Sequence, residues 1–216
     1  MEFRDLSIPV DEDTTVPPGL PSFRQGGVVR NDESHGYESD YMTTTLHVGT
    51  HLDAPYHFDP DGRPIAELDL EELVRPTKRA DIRGDGWDDP ETKIPLAPIE
   101  EALTSPIEED DYLFVHTGWA DKCIDDPSYY LESPYYDPEV SEFVVESGAK
   151  GLITDTPIDS GDHGMPNHFT LCENDRVIVE NVANLDGLPD EFTTWVVPMN
   201  LANGEGAPAR VFLVEE

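Results

Sequence analysis

Basic residues are scarce in this 216-residue chain: 13 Lys and Arg stand against 47 Asp and Glu, a formal charge of −34. Only four of them are lysines, Lys78, Lys93, Lys122 and Lys150. A chain so short of cations cannot displace counterions from a nucleic-acid backbone or settle on an anionic bilayer, which argues against both partners. Cysteine is as scarce. Cys123 and Cys172 lie far apart with no paired Cys motif, so neither a disulfide scaffold nor a zinc ribbon is indicated. No apolar run approaches the roughly 18 residues of a membrane span. The opening Met-Glu-Phe-Arg-Asp lacks the basic stretch and apolar segment of a signal peptide, so the cytoplasm is the expected compartment. No G-x-S-x-G nucleophile elbow is present, which leaves a serine or cysteine hydrolase without its signature.

The chain is nevertheless built to fold. Leu, Ile, Val and Phe make up 52 of its 216 residues, above the roughly 20% below which disorder is expected. They fall in compact runs such as Tyr112–Val115 and Trp195–Val197. No repeat or linker divides the chain, and a single domain over 1–216 is expected. The few lysines and many carboxylates match cytosolic proteins of organisms with salt-filled cytoplasm. Self-repulsion at this charge costs stability in dilute buffer, whereas molar salt shortens the Debye length to about 3 Å. A halophilic source is expected.

Twenty prolines and sixteen glycines favour short elements joined by tight turns. Strands are predicted at 42–48, 77–82, 112–117, 150–154, 176–182, 192–198 and 209–214, each a Val/Ile/Phe/Thr-rich run bounded by turn or charged residues. Asp137 as N-cap, Pro138 at the first helical position and Gly148 as stop predict a helix between them. Further helices are predicted at 98–104 and 67–74. Residues 11–40, rich in Gly, Pro and acid, read as a long ordered loop of the kind that often carries function. The fold class is mixed α/β or α+β, rich in strands.

One segment is chemically specific: Leu46-His47-Val-Gly-Thr-His51-Leu-Asp53-Ala-Pro-Tyr-His57. Three histidines and an aspartate are the donors that bind Zn, Mn or Fe, imidazole through nitrogen and carboxylate through an oxygen able to bridge. On a straight strand His47 and His51 would lie about 13 Å apart. Two donors on one zinc, each about 2.1 Å from it, are at most about 4 Å apart. The chain must bend, and Gly49 permits it. Pro55 disfavours helix at Ala54, so a continuous metal-binding helix is not expected. The prediction is a strand that breaks at Gly49 into a metal-binding loop.

The pattern HxGTHxDAPxH resembles the signature of the cyclase family of metal-dependent hydrolases, which includes bacterial kynurenine formamidase and isatin hydrolase. The resemblance runs from Asp5-Leu-Ser-Ile-Pro to the closing Ala-Pro-Ala-Arg-Val-Phe-Leu. It includes Thr117-Gly118-Trp119, the segment Gly151 to Asp159, and His168 followed by Glu180 in Val-Ile-Val-Glu-Asn. It implies that His47, His51 and Asp53 hold one divalent ion, with Asp53 bridging to a second. His168 and Glu180 would complete that second site, Glu180 also bridging, and His57 would donate and accept the proton. It further implies a compact domain of swivelling β/β/α type, a homodimer or higher homo-oligomer, one or two Zn or Mn ions, and a small-molecule amide, formamide or cyclic amide as substrate. Two departures bear on substrate rather than chemistry. Pro17, in Val16-Pro17-Pro18-Gly19, stands where kynurenine formamidases have a pocket tryptophan, and Ile158 stands where the family often has serine.

The rival reading is a metal-stabilised binding module without catalysis. Catalytic sites keep an open coordination position, and His57, a spare imidazole beside the ligand set, favours the enzyme. Other residues carry weaker readings. His163 reads as a loop histidine, His116 as a strand or pocket-wall residue, and Cys172 as a buried small apolar side chain. His35 and Tyr37 are candidates to cover the pocket. Phe23 and Trp119 are candidates for its apolar wall or for ordinary core.

Overall fold

A computed structural model of the chain describes residues 2–29, 36–84, 86–160 and 163–215. Its strands are β1 (Glu2–Asp5), β2 (Arg24–Val29), β3 (Ser39–Thr43), β4 (His51–Asp53), β5 (Val74–Asp81) and β6 (Lys93–Ile94). The second half adds β7 (Tyr112–His116), β8 (Tyr135–Tyr136), β9 (Gly151–Thr154), β10 (Val177–Glu180), β11 (Glu191–Pro198) and β12 (Gly206–Glu215). The α-helices are α1 (Leu96–Ala102), α2 (Trp119–Cys123), α3 (Ser128–Leu131), α4 (Pro138–Glu146) and α5 (Pro166–Glu173).

The run Tyr112-Leu-Phe-Val is apolar on both faces of a strand, so both faces of β7 need cover. Its alternation divides them: Tyr112 and Phe114 enter one core, Leu113 and Val115 the other. Its neighbours β5 and β9 pair with it in parallel, and β10 continues the parallel run beyond β9. The sheet order is β1-β12-β11-β5-β7-β9-β10-β4, and β4 also pairs with β12, which closes the sheet into a barrel. The first core fills the interior with Leu52, Ile153, Val179, Val196 and Val211. The second lies between the outer face and the helices, where Ile99, Val140, Val144 and Leu171 are fully buried. Each such side chain contributes roughly 1.5–3 kcal/mol.

Helix α4 starts as expected, the Asp137 side chain accepting the Glu139 N–H, and Gly148 follows its end at φ +80°. The strands predicted at 77–82, 112–117, 150–154, 176–182, 192–198 and 209–214 are present with ends displaced by a few residues. Three expectations fail. Residues 67–74 are turns leading into β5 rather than a helix. Leu68 and Leu73 both plug the interior core, a spacing no single helix face can serve. The predicted strand 42–48 ends at Thr43, and the chain runs irregularly to Thr50. The loop expected over 11–40 contains β2, which pairs with β3 as a separate hairpin. Helix α5 and strand β1 were not predicted.

Candidate metal centre

Strand β4 is three residues long and does three jobs. Its backbone joins β10 to β12. Alternation sends Leu52 into the core and leaves His51 and Asp53 on the opposite face. His51 lies opposite Glu180 and Asp53 opposite Gly206. The break at Gly49 is present, but it leads into this strand, so His51 and Asp53 lie on a strand rather than in the loop expected after a strand at 42–48. Gly49 has φ +60°, and a Cβ there would meet Val10 Cγ2 at 2.8 Å. The bend carries His47 back over the strand, where its ring meets that of His51 edge-on at 5.1 Å. Gly206 makes room, since a Cβ there would lie 3.0 Å from His47 Cε1 and 3.2 Å from Asp53 Oδ1.

The two distal residues arrive from elsewhere. Glu180 ends β10, and His168 lies in α5, which packs along the barrel. Around Asp53, His47 Nδ1 and His51 Nε2 lie 2.8 and 3.5 Å from Oδ1, and His168 Nε2 lies 3.7 Å from Oδ2. Glu180 closes the ring, with Oε2 3.6 Å from His51 Nε2 and Oε1 3.8 Å from His168 Nε2. Every separation is within the roughly 4 Å allowed for two donors on one zinc. Both oxygens of Asp53 are buried, as are His47 Nε2 and Glu205 Oε2, and none of these atoms makes a well-directed hydrogen bond despite the close approaches of His47 to Asp53 and Glu205. A buried carboxylate is costly unless positive charge faces it, and nitrogen and oxygen donors converging at these distances are what a divalent cation requires. The residues therefore fit a divalent ion.

Hydrogen bonds set the imidazoles for that role. His51 Nδ1 lies 2.8 Å from Gly49 O and His168 Nδ1 2.8 Å from Asp159 Oδ2. Carbonyl and carboxylate only accept, so each Nδ1 carries a proton and each Nε2 is turned towards the cluster, where a bound cation would take its lone pair. Glu180 is held through Oε1, which accepts the Ile158 N–H at 2.8 Å. The charges follow. Burial pushes the His51 pKa down to about 4. Burial also disfavours charge on His47 and His168, but Asp53 beside the first and the Asp159 hydrogen bond on the second outweigh it, and both rise to about 10. Burial, with Asp53 adding like charge, lifts Glu180 to about 7. Burial would lift Asp53 too, but His47 and His51 hold it well below the usual carboxylate range.

His57 ends the 3-10 turn Pro55–His57, its ring centroid 4.3 Å from that of His47 and 5.8 Å from that of His168. It borders the cluster and keeps partial exposure. All six predicted site residues, His47, His51, Asp53, His57, His168 and Glu180, line one cavity of about 600 Å³. Its outer wall is apolar, formed by Pro17, Pro18, Leu20, Phe58, Leu131 and Met165.

Sequence reasoning gave no role to Asp159, Asn181 or Glu205. Asp159 lay inside a recognised motif, and Asn181 directly follows Glu180. Glu205, whose Oε2 is 3.0 Å from His47 Nε2 and 3.9 Å from His57 Nδ1, had no local signal. Phe23 and Trp119 are buried outside the cavity wall, and the Trp119 ring stacks on Tyr129. His116 is wholly buried at the end of β7 and is not a wall residue. His163 stacks on Tyr135 and Tyr37 is exposed, both away from the cavity lining; His35 lies outside the described residues. Burial pushes the Cys172 thiol up to about 12, in keeping with an inert apolar role.

A closed barrel whose rim gathers three imidazoles and two carboxylates beside a substrate-sized cavity defines a metal-dependent hydrolase class of fold and site. The chain belongs to the cyclase family: residues 4–159 match the family described as "Putative cyclase". A kynurenine formamidase of Bacillus anthracis is 26% identical over 212 residues, covering 97% of this chain and 95% of that one. Isatin hydrolase A from Labrenzia aggregata, solved with benzyl benzoate, superposes with a TM-score of 0.87 at 25% identity, covering 100% of this chain and 94% of the other. Isatin hydrolase A from Ralstonia solanacearum shares the fold at a TM-score of 0.86 and 21% identity, covering 99% and 92% of the two chains. No helix among the described residues is long and apolar enough to cross a membrane.

Proposed function

We propose that this protein is a metal-dependent hydrolase of amide C–N bonds, acting on a formamide or cyclic amide. The observation that carries the proposal is the convergence of His47, His51, Asp53, His168 and Glu180, with His57 bordering them, at the floor of an open cavity. In this reading those five residues hold one or two divalent ions, Zn or Mn. Such an ion supplies water activation and polarisation of the carbonyl oxygen. Asp53 and Glu180 each face imidazoles from both of their oxygens, which supports a bridging role for both. His57 takes the proton of the attacking water and returns it to the leaving nitrogen, so that C–N cleavage yields a carboxylic acid and an amine. The apolar outer wall sequesters an aryl or bicyclic body, and a cavity of about 600 Å³ suits one. Relatives that act on kynurenine's formamide and on isatin support this substrate range. An open cavity over the cluster disfavours the non-catalytic module. A cytoplasmic homo-oligomer, dimer or higher, in a salt-rich cell completes the reading.

The test is an activity screen in molar salt with Zn, Mn or Mg, using isatin, N-formylkynurenine, formanilide and other cyclic amides. Hydrolysis of at least one is expected, lost on chelation and restored by an added ion. Hydrolysis that survives removal of all metal would refute the mechanism. A folded, metal-loaded protein inert towards every amide would refute the activity.

A further inference from the structure

Tyr130, in α3, is a wall residue of the cavity whose hydroxyl has an unusual hydrogen-bond direction. Its oxygen lies 2.8 Å from Asn181 Nδ2. The orientation of that amide is settled by its other neighbours. Gly49 O, 3.0 Å from the same Nδ2, is a carbonyl and can only accept, so the NH₂ group must face it. Asn181 Oδ1 meanwhile lies 2.8 Å from the Tyr129 hydroxyl, whose single proton is shared with Asp155 O at 2.8 Å, so the Gly49 carbonyl is what orients the amide. The two amide protons are therefore committed, one to Gly49 O and one to the Tyr130 oxygen. Tyr130 is an acceptor in this bond, and its own proton has no acceptor among the described residues.

We propose that the Tyr130 hydroxyl is a catalytic hydrogen-bond donor to the carbonyl oxygen of the substrate amide. A donor held by the protein stabilises the negative charge that grows on that oxygen as water adds to the carbonyl carbon, and does so more strongly in the transition state than in the ground state. Its setting suits the role. The Tyr130 ring meets Tyr129 edge-on at 5.0 Å, and Tyr129 in turn stacks on buried Trp119, so the phenol is braced from behind. Asn181 ties the phenol to the Gly49 carbonyl that sets the His51 tautomer, so one amide registers the donor against the ligand cluster. Burial, then the charge of Glu180, pushes the phenol far above its ordinary range, which keeps it protonated at any working pH. The local sequence offers no sign of this: Ser128-Tyr-Tyr-Leu131 reads as a helical turn with adjacent aromatics, and only the fold separates the buried Tyr129 from Tyr130 at the cavity.

This inference rests on the amide-hydrolase reading, and the experiment separates the two. Tyr130→Phe removes one oxygen and leaves the Asn181–Gly49 bond in place. Wild type and variant are compared with isatin, N-formylkynurenine and formanilide in molar salt, with bound metal and Tm measured on the same samples. The expected result is a fall in kcat of roughly 10²–10³-fold, with KM within about threefold and Tm and bound metal unchanged. A kcat within threefold of wild type overturns the proposal. So does a rise in KM at constant kcat, which describes ground-state binding, and so does loss of metal from the variant, which assigns Tyr130 to support of the centre. A wild-type protein that turns over none of the three amides overturns the hydrolase reading itself.

Discussion

Replacing Asp159 with asparagine removes one charge from the support of His168 while keeping the shape of the side chain. In the wild type, Asp159 Oδ2 accepts from His168 Nδ1 at 2.8 Å and from the His168 backbone N–H at 3.0 Å. Oδ1 accepts from Asn167 Nδ2 at 2.8 Å and Asn167 N at 3.3 Å. The residue is buried, so water does not compete for these bonds. In Asp159→Asn one acceptor becomes a donor, facing either His168 or Asn167 with a donor already in place. A hydrogen bond to a charged group is worth about 1.5–3 kcal/mol. Loss of a carboxylate behind a ligating imidazole costs roughly 10–100-fold in metal affinity, about 1.4–2.8 kcal/mol. The two scales agree, so the zinc dissociation constant should rise by about 10–100-fold. Competition with a chromophoric chelator in molar salt measures it, and thermal unfolding of both chelated proteins reports the structural cost separately. A variant whose zinc affinity stays within twofold of wild type would refute the claim that Asp159 sets the basicity of His168.

Two further outcomes follow from the same geometry. His57→Ala should keep its metal and lose most turnover; near-wild-type kcat with bound metal would remove His57 from proton transfer. His116 gives the folded protein a pH signature. Burial, then the charges of Arg83 and Arg79, pushes it down to about 4 from 6.5. Between those values the folded state binds fewer protons than the unfolded one. Its contribution is therefore complete above pH 6.5 and lost as the pH falls through about 4, on the order of 3 kcal/mol at most. Denaturation of wild type and His116→Gln from pH 7.5 to 4 should show a shallower decline for the variant; parallel curves would remove His116 as the cause.

Much of the barrel was legible because its strands are local objects. Tyr112–Val115 announces a strand covered on both faces, and Asp137-Pro138 with Gly148 announces a helix, since capping and chain stiffness act within a few residues. The failures lie where long-range pairing decides. Residues 67–74 have leucines that suit a helix loosely, yet the barrel interior takes Leu68 and Leu73 from a pair of turns. The hairpin of β2 and β3 hides in a polar segment, as neither strand has a buried face to mark it. His51 and Asp53 were expected in a loop after a strand and instead lie on one, because β4 is recruited by β10 and β12 on its two sides.

The amino-acid sequence by itself pointed to the chemistry. His47, His51, Asp53 and His57 lie close enough along the chain to suggest a metal site, and a charge of −34 argues against a polyanionic partner. Spacing carries that information because donors for one ion must lie within a few ångströms of one another. Tertiary structure alone decided the rest. It set Glu180 opposite His51 and His168 beside Asp53, and aimed Asp159 at His168. It brought Glu205 to His47 and freed the proton of Tyr130 by turning the Asn181 amide. Each of these depends on which strands pair and how a buried amide satisfies its donors. No window of neighbouring residues contains that information.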